Sequence, residues 1–240
     1  MQKSLLVFGG NGYLGSHICK YAVSQGINVI SVSRSGNPKK VEAWQNRVQY
    51  VKGNASDPST YEHFLPHVNG VIHCIAILFD SNFPRTWASK YEGSYEQMNR
   101  DTALKVCETL GQQNFVYISA ERGMFFAPRY ISTKREVEAY LEQNRERING
   151  CVLRPGYMYS EAEKQKRIAG TFFNLTWKSD AVLKTLRLGK LSEMFVPPRS
   201  MHVDDTAKVA VLAALRPEFI GTTLGIEDIE RTALKYSGVE

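Results

Sequence analysis

The residue order predicts an α/β fold organised on a doubly wound parallel sheet, and three observations carry that reading. Short apolar runs bounded by Gly, Asn, Asp or Ser recur at residues 5–8, 27–33, 48–51, 68–78, 114–120 and 151–154. Between them lie stretches with apolar residues at helical spacing, long enough for the crossover that joins two parallel strands. The first run, LLVF, passes directly into a glycine cluster and then a helix-compatible segment, GGNGYLGSHI. A buried strand that turns tightly into a helix produces that order of residues.

The glycines have separate steric duties. Gly9 turns the chain off the strand, and Gly10, Gly12 and Gly15 complete overlapping G-x-x-G-x-x-G and G-x-G-x-x-G spacings. Gly12 leaves no Cβ between backbone and a pyrophosphate, and Gly15 lets helix and strand pack closely. Asn11, Tyr13 and Leu14 fill the loop and open the helix over residues 13–24, whose first-turn N–H groups and dipole favour an anion. The expected ligand is a dinucleotide, and the expected fold is a doubly wound parallel sheet with a short C-terminal elaboration, in a single domain over residues 1–240.

Gly26 closes a turn, and the far end of the second strand bears on cofactor type. An acid there would take the ribose 2′-hydroxyl of NAD, whereas this chain has Ser33, Arg34 and Ser35, followed by Lys39 and Lys40. Arg34 can grip a 2′-phosphate with paired charge-assisted bonds while Ser33 or Ser35 donates another. NADP(H) is thereby favoured, with NAD(H) as the alternative if Arg34 only stacks on the adenine. After the third strand, Asn54 suits an adenine-edge contact or a plain Asx-turn.

The fourth run ends over His73 to Ala76, expected beneath the nicotinamide-side ribose, with His73 read more readily as a core side chain than as a catalyst. A polar, aromatic-rich loop at 79–95 can cover a substrate. Residues 96–110 read as a helix, with Asn99 in its first turn as an anchor for a water or a strand end. The fifth strand ends in Ser119, and Tyr130 and Lys134 follow at the spacing that puts both on one helix face. A lysine beside a phenol favours the phenolate, so Tyr130 is the expected acid/base, Lys134 its activator and a ribose ligand, and Ser119 the group that holds the substrate oxygen. Pro155 turns the chain after strand six where backbone can border the nicotinamide. Residues 157–205 form a segment facing substrate or partner, with an amphipathic basic stretch including Phe172 and Trp177. Asp204 or Asp205 is expected to cap a helix at 206–215, and the tail from 216 is expected to be peripheral.

Composition narrows the class. The net charge is +6, yet Lys and Arg are scattered without an aromatic-basic motif, so nucleic acid is not an expected partner. The four cysteines, Cys19, Cys74, Cys107 and Cys151, lie far apart with no metal-ligand spacing, and read as reduced core thiols. No metal site, membrane span, secretory signal or Arg-rich presequence is expected.

The blocks VFGGNGYLG, YISTK, LRPGYMY and HVDD resemble the extended and atypical short-chain dehydrogenase/reductase superfamily, and VFGGNGYLG, SVSRSG, YISAERG, YISTKREVE and LRPGYMY carry a narrower resemblance. More narrowly, the chain is similar to the group that includes a fungal subunit of the coenzyme Q (ubiquinone) biosynthetic complex and the accessory NADPH-binding subunit of respiratory complex I. The resemblance implies a Rossmann-type fold, nucleotide binding, residence on the matrix side of the mitochondrial inner membrane with peripheral membrane contact, and a role in the ubiquinone biosynthetic complex, catalytic or regulatory. A non-catalytic assembly subunit and a reductase of small carbonyls are the alternatives. The short loop from Ser119 to Tyr130 and the small C-terminal region depart from sugar-nucleotide epimerases and disfavour a nucleotide-sugar substrate.

Overall fold

A computed structural model describes residues 2–38, 42–78, 91–123, 127–161 and 199–236. The elements in order are β1 (Ser4–Phe8), α1 (Tyr13–Ser24), β2 (Asn28–Ser33), β3 (Val48–Lys52), β4 (Gly70–His73), a π-helical turn (Glu96–Asp101) that runs into α2 (Thr102–Thr109), and β5 (Asn114–Ile118). There follow α3 (Pro128–Gln143), β6 (Asn149–Leu153), β7 (Tyr157–Tyr159), β8 (Ser200–His202), α4 (Val203–Leu215), β9 (Thr223–Leu224) and α5 (Ile226–Lys235).

Among the described residues the main sheet has seven strands in the order β3-β2-β1-β4-β5-β6-β9, and every pairing in it is parallel. Chain direction across the sheet reverses between β1 and β4, and a crevice opens beyond the strand ends at such a switch point. Both faces are buried, which is why the strands read as near-continuous apolar runs. One core, with Leu5, Val7, Ile18, Val116 and Leu153, lies under α1, α4 and α5. The other, with Phe8, Phe115, Tyr117, Val106 and Val137, lies under α2 and α3.

Four expectations change. The fourth strand stops at His73 rather than continuing to residue 78, because its neighbours stop: His73 pairs with Phe8 at the end of β1 and with Tyr117 near the end of β5. The helix expected at 96–110 opens as a π-turn and ends at Thr109. The cap of α4 is His202, whose side chain accepts from the Asp204 N–H at 3.3 Å, and Asp204 and Asp205 fall in the first turn instead. The tail is not peripheral: Thr222 O and Leu224 O accept from the Val152 and Arg154 N–H groups, so β9 extends the sheet and α5 buries Ile226, Ile229 and Ala233. Lys39, Lys40, most of the 79–95 loop and the amphipathic stretch with Phe172 and Trp177 lie outside the described residues. Among the described residues no helix is long and apolar enough to cross a membrane.

Candidate functional site

The glycine loop is shaped by contacts that a Cβ would destroy. Gly9 has φ +85°, a left-handed conformation that side chains rarely adopt, and its N–H donates to Val32 O at 3.0 Å. A Cβ on Gly10 would lie 2.2 Å from Ser31 Oγ, and one on Gly15 would lie 2.1 Å from Gly9 O. Gly12 differs. A Cβ there would touch only Gly9 O, at 3.1 Å, and would otherwise fill the cleft. The backbone of Gly12 caps α1 with no side-chain hydrogen bond and no acid in the first turn, which leaves the positive end of the helix dipole for an anion. Tyr13 and Leu14 open α1, with Leu14 buried in the core behind the loop.

A cleft of about 760 Å³ runs from this loop along the carboxyl edge of the sheet. Gly9, Asn11, Gly12, Ser33, Arg34, Ser35, Asn54 and Ala76 line it, so these eight expected contacts share one surface. The exposed Arg34 guanidinium makes no hydrogen bond or ion pair among the described residues, and residues 33–38 contain no acid. Asn54 forms the Asx-turn, its Oδ1 accepting from the Ser56 N–H at 3.1 Å, while still lining the cleft. The floor is Cys74 to Ile77, and Gln97, Met98 and Thr102 of the π-turn and α2 form the far wall. Sequence reasoning missed that wall. No local pattern marks a π-turn, although Asn99 was the clue. Buried Asn99 clamps the Ile77 backbone, accepting from its N–H at 2.9 Å and donating to its carbonyl at 3.3 Å.

His73 is a core side chain. Thr102 Oγ1 donates to Met98 O at 2.9 Å, so the proton between His73 Nε2 and Thr102 Oγ1, 3.2 Å apart, belongs to the histidine. Burial, reinforced by the charge of Lys134, holds the imidazole down at about 3 and therefore neutral.

Tyr130, Lys134, Ser119 and Pro155 do not line this cleft. Lys134 is buried. Its Nζ donates to Ile118 O at 2.8 Å and lies 5.2 Å from the Tyr117 ring centre and 5.6 Å from that of Tyr130. Burial lowers its ammonium to about 7, against the pull of Glu138. The Tyr130 phenol moves opposite to expectation. Burial, with a contribution from Tyr95, pushes it up to about 12, and the Lys134 amine, which sits over the ring and bonds a carbonyl, gives the hydroxyl no hydrogen bond. Ser119 is likewise engaged elsewhere, donating to Glu138 Oε1 and accepting from Arg135 Nη1 at 3.1 Å. Arg154 Nη2 meets the other Glu138 oxygen at 2.5 Å. Burial raises that carboxyl, but the bonds from Arg154 and Ser119 outweigh it and hold Glu138 below the usual range. Buried Pro155 accepts from the Glu121 N–H at 2.9 Å, tying the ends of β5 and β6 together.

The chain belongs to the NAD dependent epimerase/dehydratase family, whose profile matches residues 5–223. It is 28% identical to MIOREX complex component 2 of Saccharomyces cerevisiae, over 92% of this chain and 96% of that one. Among solved structures it is similar to MoeE5 in complex with UDP-glucose and NAD, with a TM-score of 0.65, 16% identity and coverage of 98% and 82% of the two chains. ElxO with NADP bound gives a TM-score of 0.65 at 14% identity, over 94% of this chain and 97% of that one. These two likenesses show the shared Rossmann-like fold.

Proposed function

We propose that this protein binds NADP(H) in preference to NAD(H) and serves as a nucleotide-dependent component of a mitochondrial multiprotein assembly. The observation that carries the cofactor choice is Arg34, an exposed guanidinium with no partner among the described residues, standing at the end of β2 where NAD binders place an acid. The residues fit a dinucleotide. The Gly9 turn and the uncapped start of α1 suit a diphosphate, Arg34 and Ser35 a 2′-phosphate, and Asn54 the adenine edge. Cys74 to Ile77 and Met98 border the remaining half of the cleft. When bound, the cofactor supplies a hydride donor or acceptor at its nicotinamide ring.

Assembly membership is supported by the name of the yeast relative, a component of the MIOREX complex. The resemblance of the sequence blocks to a subunit of the ubiquinone biosynthetic complex supports mitochondrial residence on the matrix face and proposes that second assembly. A ligand held only by the native state stabilises it by about 2.7 kcal/mol at a concentration one hundred times its Kd. A dinucleotide can therefore serve as a structural part. The test is thermal unfolding of the purified protein with NADPH and NADH, joined to the identity of the nucleotide that co-purifies. A larger stabilisation by NADPH is expected, and an equal or larger one by NADH overturns the preference.

A second reading, oxidoreductase action on a small carbonyl, is favoured by one observation: Tyr130 and Lys134 share a face of α3 and meet at 5.6 Å. The raised phenol is protonated at neutral pH and so is a proton donor to a reduced carbonyl oxygen. Lys134 must leave Ile118 O before it can reach a ribose. NADPH oxidation on addition of quinone precursors or small carbonyls tests this reading.

A further inference from the structure

Asn11 sits in the middle of the glycine loop yet bonds to the turn that follows β2. Its Nδ2 lies 2.8 Å from Ser33 Oγ, 3.0 Å from Ser35 Oγ and 2.7 Å from Gly36 O. A carbonyl only accepts, so the Gly36 bond fixes which end of the amide faces the loop. Two amide protons then serve three acceptors, while Oδ1 is buried with no partner. Proton direction settles the rest. Ser33 Oγ accepts from Asn11 and donates to Gly36 O at 3.1 Å, so its proton is committed. Ser35 Oγ also accepts from Asn11, and its nearest alternative acceptor, Ser33 Oγ, is 3.5 Å away.

Resting on the cofactor reading above, we infer that Asn11 is a specificity-determining residue: it clamps the loop over Ser33 to Gly36 so that Arg34 presents a cation, and Ser35 a hydroxyl proton held only by the long contact to Ser33 Oγ, to an adenosine 2′-phosphate. The diphosphate loop and the 2′-phosphate loop are one hydrogen-bonded unit in this chain. Asn11 discriminates between dinucleotides without touching the phosphate that distinguishes them, because the shape of the Ser33–Gly36 turn before binding depends on its amide. Preorganisation of this kind lowers the ordering cost of the ligand that uses the turn and does little for one that does not.

The test is isothermal titration of the full chain with NADPH and NADH, and with 2′,5′-ADP and ADP, which lack the nicotinamide half. Asn11→Ala is expected to lower the NADPH-over-NADH affinity ratio by about tenfold, with 2′,5′-ADP following NADPH and ADP following NADH. Equal weakening of all four ligands overturns the inference and leaves Asn11 as a general loop residue. Should Asn11→Ala unfold, the serines decide. Ser35→Ala is expected to reduce NADPH affinity more than Ser33→Ala, and the reverse order overturns the proton assignment. Wild-type protein that binds the two dinucleotides equally overturns the cofactor reading itself, an outcome distinct from discrimination that survives loss of Asn11.

Discussion

The two ends of the sheet's carboxyl edge obey opposite rules. At the glycine loop and the end of β2, backbone geometry is fixed while the groups that suit a ligand, Arg34 and the start of α1, are left exposed or uncapped. At the Tyr130 end, three of the expected groups already have partners within the protein: Lys134 with Ile118 O, Ser119 with Glu138 and Arg135, Pro155 O with the Glu121 N–H. The first region is preorganised for binding. The second is closed in the sense that Lys134 and Ser119 are already bonded within the protein, and chemistry there requires Lys134 to exchange one acceptor for another. The lesson is that a dinucleotide cleft and a Tyr-Lys pair on one fold need not be in working register with each other.

The sharpest way to break the open end is Gly15→Val. Its Cβ would lie 2.1 Å from Gly9 O and 2.8 Å from Gly10 Cα, both backbone atoms that cannot swing aside. Calorimetry should show a loss of roughly 3 kcal/mol, with dinucleotide binding abolished. Next in size, Arg34→Ala should raise the NADPH Kd by about 10- to 100-fold and leave that of NADH within about twofold, since only the former has a 2′-phosphate to lose. Equal losses would show that Arg34 stacks on adenine instead.

The closed end gives a pH signature. His73 titrates at about 3 in the folded state against 6.5 for the free side chain, so below pH 6.5 the unfolded chain binds a proton that the folded one refuses. The contribution of His73 to stability should therefore be complete above pH 6.5 and fall as pH drops toward 3, by about 1.4 kcal/mol per pH unit within that window. Glu138, also held down, adds to the loss at the acid end as it protonates. His73→Gln should flatten the upper part of the slope in denaturant titrations run at several pH values, and an unchanged slope there would assign it to other groups. The smallest effect is expected from Tyr130→Phe, which should shift dinucleotide binding by less than about 0.5 kcal/mol, because the phenol lies outside the cleft. A fall in turnover of about 100-fold with any carbonyl substrate would instead show that the closed end opens.

Legibility followed the range of the interactions. The bounds of α1 and the steric roles of Gly9 and Gly15 were readable because strand, turn and helix are contiguous and each demands a particular residue type. The fourth strand was read too long because its apolar run continues to Leu78, whereas a strand ends where its neighbours end. His202 displaced the expected aspartate cap because β8 ends at His202 and delivers the chain to α4 three residues earlier than the expected start at 206. The tail became a strand and helix because β6 has an otherwise unpaired edge, which nothing within residues 216–240 announces.

The sequence by itself determined the parallel α/β order, the glycine cradle and the absence of an acid after β2, since these depend on residue type and spacing within a few positions. Tertiary structure decided where protons and charges go: the Asn11 amide onto a loop more than twenty residues downstream, the Lys134 ammonium onto a strand carbonyl, the Ser119 hydroxyl onto a helix carboxylate. Hydrogen-bond partners are chosen by proximity in the folded chain, and that proximity leaves no periodic trace in the order of residues.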